Sequence, residues 1–241
     1  MPAYNEAENL PAVFDGFEKV AADSYNLHLH VIVVDDGSKD DTVAVARRYA
    51  TRMPIDIIQN ETNQGLALTF MRGMIAAAKH AADDDIIVCM DADNTHLPGL
   101  MLRMLNSIRE GRDVVIASRY QAGAFIKGVP LHRRLLSWCM SLFFQCVYPI
   151  PAVRDYSCGY RAYRAAFLKT ALARLGERLF STEGFACMVG ILLKLHKLGA
   201  IFGEVPMILR YDQKSGASKM RIGNTIIRTL AVLLRERFSH D

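Results

Sequence analysis

The sequence lacks the glycine-rich signatures with which many enzymes hold nucleotides. No Gly-x-Gly-x-x-Gly fingerprint and no Gly-x-x-x-x-Gly-Lys-Ser/Thr loop occurs among its 241 residues. These absences argue against dinucleotide-dependent dehydrogenases and P-loop enzymes. Any phosphate that the chain binds must therefore be held by a metal ion and by basic side chains.

Long apolar runs are missing as well. Residues 131–148 and 222–238 are helix-length segments, but neither holds about 18 uninterrupted apolar residues, so neither predicts a membrane span. No secretory signal is visible at the N-terminus. The five cysteines are an odd number without metal-ligand pairs, which predicts reduced, mostly buried thiols in a reducing compartment. Aromatic residues are not interleaved with Lys/Arg runs, so nucleic acid is not an expected partner.

Charge is present but unevenly distributed. Residues 1–126 carry 11 Lys/Arg and 18 Asp/Glu, a net charge of −7, whereas residues 127–241 carry a net charge of +11. An acidic half can hold cations, and a basic half suits phosphates or an anionic surface. The alternative is a chance imbalance of solvated side chains.

Apolar runs and amphipathic segments alternate through the first 120 residues, which predicts one α/β domain with a doubly wound, mostly parallel sheet. The predicted strands are residues 31–34, 55–58, 86–89 and 114–117. The predicted helices cover residues 10–20, 40–51, 67–82 and 98–109, the first with Asn9 as its N-cap.

A pair of acids follows the buried strand at residues 86–89. Asp91 and Asp93, two residues apart on extended backbone, share a face and could converge on one hard cation at the strand's carboxyl end. A divalent ion held by one or two carboxylates is the usual way to bind a nucleotide diphosphate. The alternative is a polar turn that caps a helix starting at Pro98.

The second half is less regular. Residues 131–148 contain Trp138 and several Phe and Leu residues, a composition that fits either a packed helix or a helix lying in a bilayer interface. Residues 222–238 carry three arginines beside an apolar face, and Arg221 comes directly before them, which favours the interface.

Seven short motifs occur in the order found in family 2 glycosyltransferases of the GT-A fold. The motifs, read along the chain, are Pro-Ala-Tyr-Asn-Glu (2–6), Val-Val-Asp-Asp-Gly-Ser (33–38), Asn-Gln-Gly (63–65), Asp-Ala-Asp (91–93), Ser-Arg-Tyr (118–120), Asp-Tyr-Ser-Cys-Gly-Tyr-Arg (155–161) and Gly-Ala-Ser-Lys (216–219). The sequence thus resembles that family over nearly its whole length, most of all the dolichol- and polyprenyl-phosphate sugar transferases.

The resemblance implies how a nucleotide-sugar donor, GDP-mannose or a UDP-hexose, would be bound. Asp91 and Ala92 would line the diphosphate and sugar, and Asp93 would ligate Mg²⁺ or Mn²⁺. Base and ribose would be held by Pro2, Tyr4, Glu6, Val34 and Asp36.

The resemblance also implies a basic acceptor side. Arg119 and Lys219 would neutralise phosphates during catalysis. Arg133 or Arg134, together with Lys219, would receive the phosphate of a polyprenyl-phosphate acceptor. Residues 1–126 would then form the nucleotide-sugar half and residues 127–220 the acceptor half of one catalytic domain, followed by an amphipathic helix at residues 221–241. The enzyme would sit peripherally on the cytoplasmic face of a membrane.

Three positions depart from the family pattern. The short apolar strand that usually precedes Pro-Ala-Tyr-Asn-Glu is absent, which predicts unpaired neighbouring strands and uncovered apolar helix faces. Thr95 stands where relatives often carry a glutamine metal ligand, so Thr95, His96 or water would take that role. Gln213 stands in place of an arginine, which leaves Arg210 or Lys214 to supply the charge.

The expected reaction transfers a sugar to a lipid phosphate with inversion at the anomeric carbon. A phosphate acceptor is already ionised near neutral pH and needs mainly positioning beside cations, whereas a hydroxyl acceptor needs a general base. The alternatives are a family 2 transferase that acts on a saccharide or protein hydroxyl, and a non-catalytic membrane- or anion-binding protein.

Overall fold

Two neighbouring sheets form the centre of the molecule. The computed structural model describes residues 1–180 and 186–213, and the strands and helices given below are those of these residues. The first sheet is parallel, in the order β1-β2-β3, and pairs Pro2 with Val34 and Val31 with Ile55. Its strands are β1 (Pro2–Ala3), β2 (Val31–Asp35) and β3 (Ile55–Gln59).

The second sheet is mixed, in the order β4-β7-β5-β8, and its β7 runs antiparallel to both neighbours. Arg161 of β7 therefore lies between Cys89 of β4 and Ile116 of β5. A two-stranded ribbon of β6 and β9 completes the pairing. The strands are β4 (Ile86–Cys89), β5 (Val114–Ser118), β6 (Phe125–Lys127), β7 (Arg161–Arg164), β8 (Phe202–Pro206) and β9 (Ile208–Arg210).

The helices predicted up to residue 109 are confirmed, because each buries the apolar stripe seen in the sequence. α1, for example, buries Leu10, Val13, Phe14 and Phe17. Asn9 is at the N-cap position but makes no side-chain cap. The helices are α1 (Leu10–Asp23), α2 (Thr42–Tyr49), α3 (Leu66–His80), α4 (Met101–Arg109), α5 (Leu131–Val147), α6 (Ala165–Leu175) and α7 (Cys187–Lys197).

The helix α5 differs from the others because most of its apolar side chains face outward. Only Ser141 and Phe144 are buried along its 17 residues. Its exposed apolar side chains are Leu131, Leu135, Leu136, Trp138, Leu142 and Phe143. No helix among the described residues is both long and apolar enough to cross a bilayer.

The strand β1 is only two residues long. Within the described residues β1 pairs with β2 but not with β4, so the two sheets are not joined by a strand ladder. A cavity of about 710 Å³ lies between β2 and β4, lined by apolar residues of α1, α3 and α4 that include Phe17, Met74 and Leu105. The side chains of Phe17, Met74 and Leu105 are nevertheless buried, so the expected uncovering of these apolar helix faces is not observed.

The cysteines are all unpaired. Cys89, Cys158 and Cys187 are buried, and burial raises the pKa of the Cys89 thiol to about 11 and that of Cys158 to about 12. These three thiols pack as small apolar groups. Cys139 and Cys146 are exposed on α5.

Candidate active site

The acids that follow β4 are held in a turn of defined geometry. Oδ1 of Asp93 accepts hydrogen bonds from the backbone nitrogen of Thr95 (3.2 Å) and from its hydroxyl (2.7 Å). Asn94 has a φ of 58°, in the left-handed region that asparagine tolerates. The short helical turn that starts at Pro98 is preceded by Leu97 and has no side-chain cap, so the acids are not helix caps.

Two buried neighbours contact the acids. The hydroxyl of Thr95, predicted as a metal ligand, donates to Asp93, as described above. Nδ1 of His96 accepts a hydrogen bond from the backbone nitrogen of Asp91 (3.2 Å), so a neutral imidazole carries its proton on Nε2. That Nε2 lies 3.8 Å from Oδ2 of Asp91, and the ring stacks on Tyr160 with centroids 5.0 Å apart. Both neighbours hold the acids in place.

The donor set suits a hard divalent cation. Asp91 and Asp93 offer carboxylate oxygens, the ligands that Mg²⁺ and Mn²⁺ prefer. The side chain of Asp91 is 44% exposed, which leaves room for water and phosphate around an ion. The residues therefore fit the metal that the sequence pattern predicts.

Arg119, at the end of β5, is held by a buried carboxylate. Asp155 is fully buried and accepts from Nε (2.8 Å), Nη2 (2.7 Å) and the backbone nitrogen (3.0 Å) of Arg119. Burial opposes both charges, but the ion pair outweighs it, raising the pKa of Arg119 and lowering the pKa of Asp155. The Nη1 group of Arg119 is engaged by neither Asp155 nor Ser157, so it can reach a phosphate.

The segment from residue 154 to 161 is fixed from two sides. Oε1 of Glu204 accepts from the backbone nitrogens of Arg154 and Asp155, both at 2.7 Å. The fully buried guanidinium of Arg161 donates to the carbonyls of Tyr156, Cys158 and Met188, each at 2.8 Å. A positive charge can be buried here because backbone oxygens surround it.

This segment joins the two groups of charges. A Cβ added at Gly159 would lie 3.9 Å from Oδ1 of Asp91, so the segment passes directly beside the acid. Asp155, four residues earlier, binds Arg119. Because β7 lies between β4 and β5, the carboxylate pair and Arg119 flank one loop.

The ends of β1 and β2 form a second polar cluster. The backbone nitrogen of Asn5 donates to Oγ of Ser38, and Oδ1 of Asn5 accepts from the nitrogen of Lys39, both at 2.8 Å. Glu6, predicted to bind the nucleotide, is buried and accepts from Asn9 at 2.7 Å. Val34 is completely buried, and its Cγ2 would lie 3.1 Å from a Cβ at Gly73 of α3. Glu6 and Val34 thus build the floor of the cluster.

Of the two acids at the end of β2, it is Asp35 that has a carboxylate oxygen without a hydrogen-bond partner among the described residues. Asp36, the predicted ligand, accepts from Asn60 (2.8 Å), Gln64 (2.8 Å) and Gly65 (2.9 Å), so its carboxylate fastens the loop after β3. Oδ1 of Asp35 is buried and has no hydrogen-bond partner among the described residues. The sequence motif contains both acids, but it does not show which of their carboxylate oxygens accept hydrogen bonds from the protein itself.

The helix α5 contacts Tyr120, the residue that follows Arg119. The hydroxyl of Tyr120 lies 2.6 Å from Oγ of Ser137, which joins the end of β5 to α5. Arg133 and Arg134 occupy the first turn of this helix, the former partly buried and the latter exposed. The contact at Ser137, about one turn after these arginines, connects α5 to the segment that follows β5.

The remaining basic candidates are Arg210, Lys214 and Lys219. Arg210 forms two hydrogen bonds with Asp212, at 2.9 and 3.0 Å, so its charge is already partly offset. Lys214, Lys219 and the predicted helix at 221–241 lie outside the described residues.

Comparisons with known proteins identify the class of fold first. The chain is similar to the crystal structure of glucosyl-3-phosphoglycerate synthase from Mycobacterium tuberculosis in complex with Mn²⁺, UDP and glucosyl-3-phosphoglycerate, with a TM-score of 0.66 at 21% identity. The likeness covers 100% of this chain and 79% of that chain. The fold is therefore the GT-A type expected from the sequence.

The family follows from the sequence comparisons. The profile of Glycosyl transferase family 2 matches residues 1–172, and the chain belongs to this family of enzymes. It is 30% identical to an undecaprenyl-phosphate mannosyltransferase of Micrococcus luteus, over 92% of this chain and 86% of the relative. It is 27% identical to a polyprenol monophosphomannose synthase of Mycolicibacterium smegmatis, over 93% of this chain and 80% of the relative.

The pair of Asp155 and Arg119 yields a prediction. Asp155→Asn leaves a guanidinium without its buried counter-charge, so we expect a loss of about 3 kcal/mol in unfolding free energy. Because the pKa of Asp155 is lowered by folding, its contribution is present above the ordinary carboxyl pKa of about 4 and is lost as the pH falls below it. Urea denaturation of parent and variant from pH 7 to pH 3 measures both effects.

The control is Asp84→Asn, which alters an exposed acid. It should unfold like the parent at every pH. An Asp155→Asn protein as stable as the parent at pH 7 would contradict the assigned role of the pair.

Proposed function

We propose that this enzyme transfers a hexosyl group, mannose or glucose, from a nucleotide diphosphate to a polyprenyl phosphate, with inversion at the anomeric carbon. The observation that carries the proposal is the position of α5. A helix with an outward apolar face and two arginines in its first turn adjoins the strand end that bears Arg119. The names of the two relatives, a polyprenol monophosphomannose synthase and an undecaprenyl-phosphate mannosyltransferase, agree with this assignment.

The donor would lie along the acids at the strand ends. Asp91 and Asp93 would hold Mg²⁺ or Mn²⁺, with Thr95 and His96 orienting the two carboxylates. When bound, such an ion offsets the negative charge that grows on the leaving diphosphate. The free Nη1 of Arg119 would add a hydrogen bond to a phosphate oxygen. Oδ1 of Asp35 would accept a hydrogen bond from the base or the ribose, since leaving a buried acceptor unsatisfied costs about 1–3 kcal/mol.

Tyr4 and Pro2 would complete the nucleotide pocket. Both precede the Asn5 turn, which is bonded to the loop after β2. In this assignment Glu6, Val34 and Asp36 act by shaping the pocket, because their side chains are buried against protein groups.

The acceptor phosphate would meet Arg133 and Arg134. Guanidinium groups match phosphate oxygens with paired hydrogen bonds, and neither arginine forms an ion pair with another described residue. A lipid phosphate is already ionised, so these side chains need only hold it in line with the anomeric carbon. The proposal extends to Lys219, which would approach the phosphates from the segment beyond the described residues.

The apolar face of α5 would lie in the membrane interface. Trp138 is 50% exposed and Leu131 is 78% exposed. Exposed apolar side chains grouped on one helix face mark an interaction site. With the arginines in its first turn, α5 has the composition of a helix that lies on an anionic bilayer. This arrangement would place the enzyme peripherally on the cytoplasmic face, where the lipid phosphate emerges.

The metal role of Asp93 can be tested directly. Asp93→Asn should lower kcat at least about 100-fold, because the charge stabilisation supplied by a metal amounts to several kcal/mol and each 1.36 kcal/mol is tenfold. Steady-state transfer assays with varied Mg²⁺ and Mn²⁺ measure the loss. The exposed acid variant Asp84→Asn serves as the control. Full turnover of a folded Asp93→Asn protein, or of the parent in EDTA, would disprove the role.

The acceptor role of the arginines predicts a selective defect. Replacing Arg133 and Arg134 by glutamine should raise the apparent KM for polyprenyl phosphate at least about tenfold, since a hydrogen bond to a charged group contributes about 1.5–3 kcal/mol. The KM for the nucleotide sugar should stay nearly constant. Arg103→Gln, an exposed arginine on α4, is the matched control. Equal losses towards both substrates would show that these arginines do not define the acceptor site.

Membrane docking predicts a third result. Changing Leu135 and Trp138 to glutamate should abolish flotation with anionic liposomes, because these side chains would have to enter the interface. Tyr25→Glu, which alters a 96% exposed aromatic residue outside α5, should float like the parent. Retained flotation of the double variant would mean that another surface docks.

A further inference from the structure

A second group of metal-ligating side chains lies away from the acids described above. His30, Asp56 and His80 each place one ligand atom within 4.8 Å of the others. Nε2 of His30 is 2.9 Å from Oδ2 of Asp56, and the two imidazole rings have centroids 4.1 Å apart at an angle of 53°. All three side chains are exposed, so an ion can reach them from solvent.

The fold brings these residues together from three elements. Ile32 of β2 pairs with Asp56 of β3, and His30 lies two residues before Ile32, so His30 and Asp56 are diagonal neighbours on one face. The same face carries Val34, which packs under Gly73 of α3. From that contact, α3 runs back over β2 and ends at His80, above His30.

The distances support this reading of the packing. Seven residues of helix from Gly73 to His80 span about 10 Å at 1.5 Å per residue. Four residues of strand from Val34 to His30 span about 13 Å at 3.3 Å per residue. The two segments therefore reach the same edge of the sheet, and the contact between the imidazole rings is a consequence of the α3–β2 packing.

The chemistry of the group favours a transition-metal ion. Two imidazole nitrogens and one carboxylate oxygen form a ligand set that suits Zn²⁺, Co²⁺ or Ni²⁺ and that leaves a position for water. His80 also lies in the last turn of α3, where the negative end of the helix dipole favours a cation. Mg²⁺ prefers a full set of oxygen ligands, so this group differs in selectivity from the acids after β4.

We propose that His30, Asp56 and His80 form a second metal site, selective for Zn²⁺-class ions. The site lies at the amino ends of β2 and β3, about 16 Å along β2 from Asp35 at the other end. It is independent of sugar transfer. A bound ion ties β2, β3 and the end of α3 together, beside the mouth of the cavity that separates the two sheets.

Metal titration of the EDTA-treated, desalted full chain tests the site. With Mg²⁺ present in excess, isothermal titration should show one Zn²⁺ bound per chain, and Co²⁺ should develop visible absorption bands of low-coordinate cobalt. His80→Gln and His30→Gln should each weaken Zn²⁺ binding at least about tenfold. At the same Zn²⁺ concentration the Tm of the parent should rise more than that of either variant, since the stabilisation by a ligand falls as its affinity for the folded protein falls.

Two controls separate this site from the acids after β4. His132→Gln, an exposed histidine on α5, should bind Zn²⁺ like the parent. Asp93→Asn should also retain Zn²⁺ binding, whereas His80→Gln should retain sugar transfer. Parent-like Zn²⁺ binding by both cluster variants, an absence of binding by the parent, or its loss in Asp93→Asn would each overturn the proposal.

Discussion

The buried ion pair between Asp155 and Arg119 determines the arrangement of the site. Its carboxylate has no exposed surface, and it accepts two hydrogen bonds from the guanidinium and a third from the backbone nitrogen of Arg119. Removing one partner of such a pair would leave an uncompensated charge in the interior. Because both partners must stay together, the pair constrains the loop that carries Asp155. The same loop continues past Asp91 to Gly159. The positions of the acids and of Arg119 are therefore set together.

The first 118 residues were readable from sequence because hydrophobic periodicity dominates them. Strands β2 to β5 and helices α1 to α4 lie within a few residues of their predicted bounds, since each buries one continuous apolar face. The antiparallel β7 was not predicted. Its sequence Arg-Ala-Tyr-Arg shows no apolar run, and the buried guanidinium of Arg161 donates to two carbonyls of the preceding loop and to that of Met188, 27 residues away.

The sequence motifs pointed to residues, but they did not show what each side chain does. Motifs drew attention to Asp36 and Glu6, but hydrogen bonds within the fold occupy these carboxylates. Asp35, the last residue of β2, keeps an oxygen without a partner among the described residues, although it is adjacent to Asp36 in the sequence. Likewise, the cluster of His30, Asp56 and His80 joins residues up to 50 positions apart, and no local pattern marks it.

The central claim concerns the acceptor, because an ionised phosphate removes the need for a general base. Transfer of radiolabelled mannose or glucose from GDP- or UDP-linked donors should be compared for a polyprenyl phosphate and for the polyprenol of the same chain length. The account predicts rapid labelling of the phosphate and almost none of the alcohol. Comparable labelling of the alcohol, or of a soluble sugar acceptor, would contradict it.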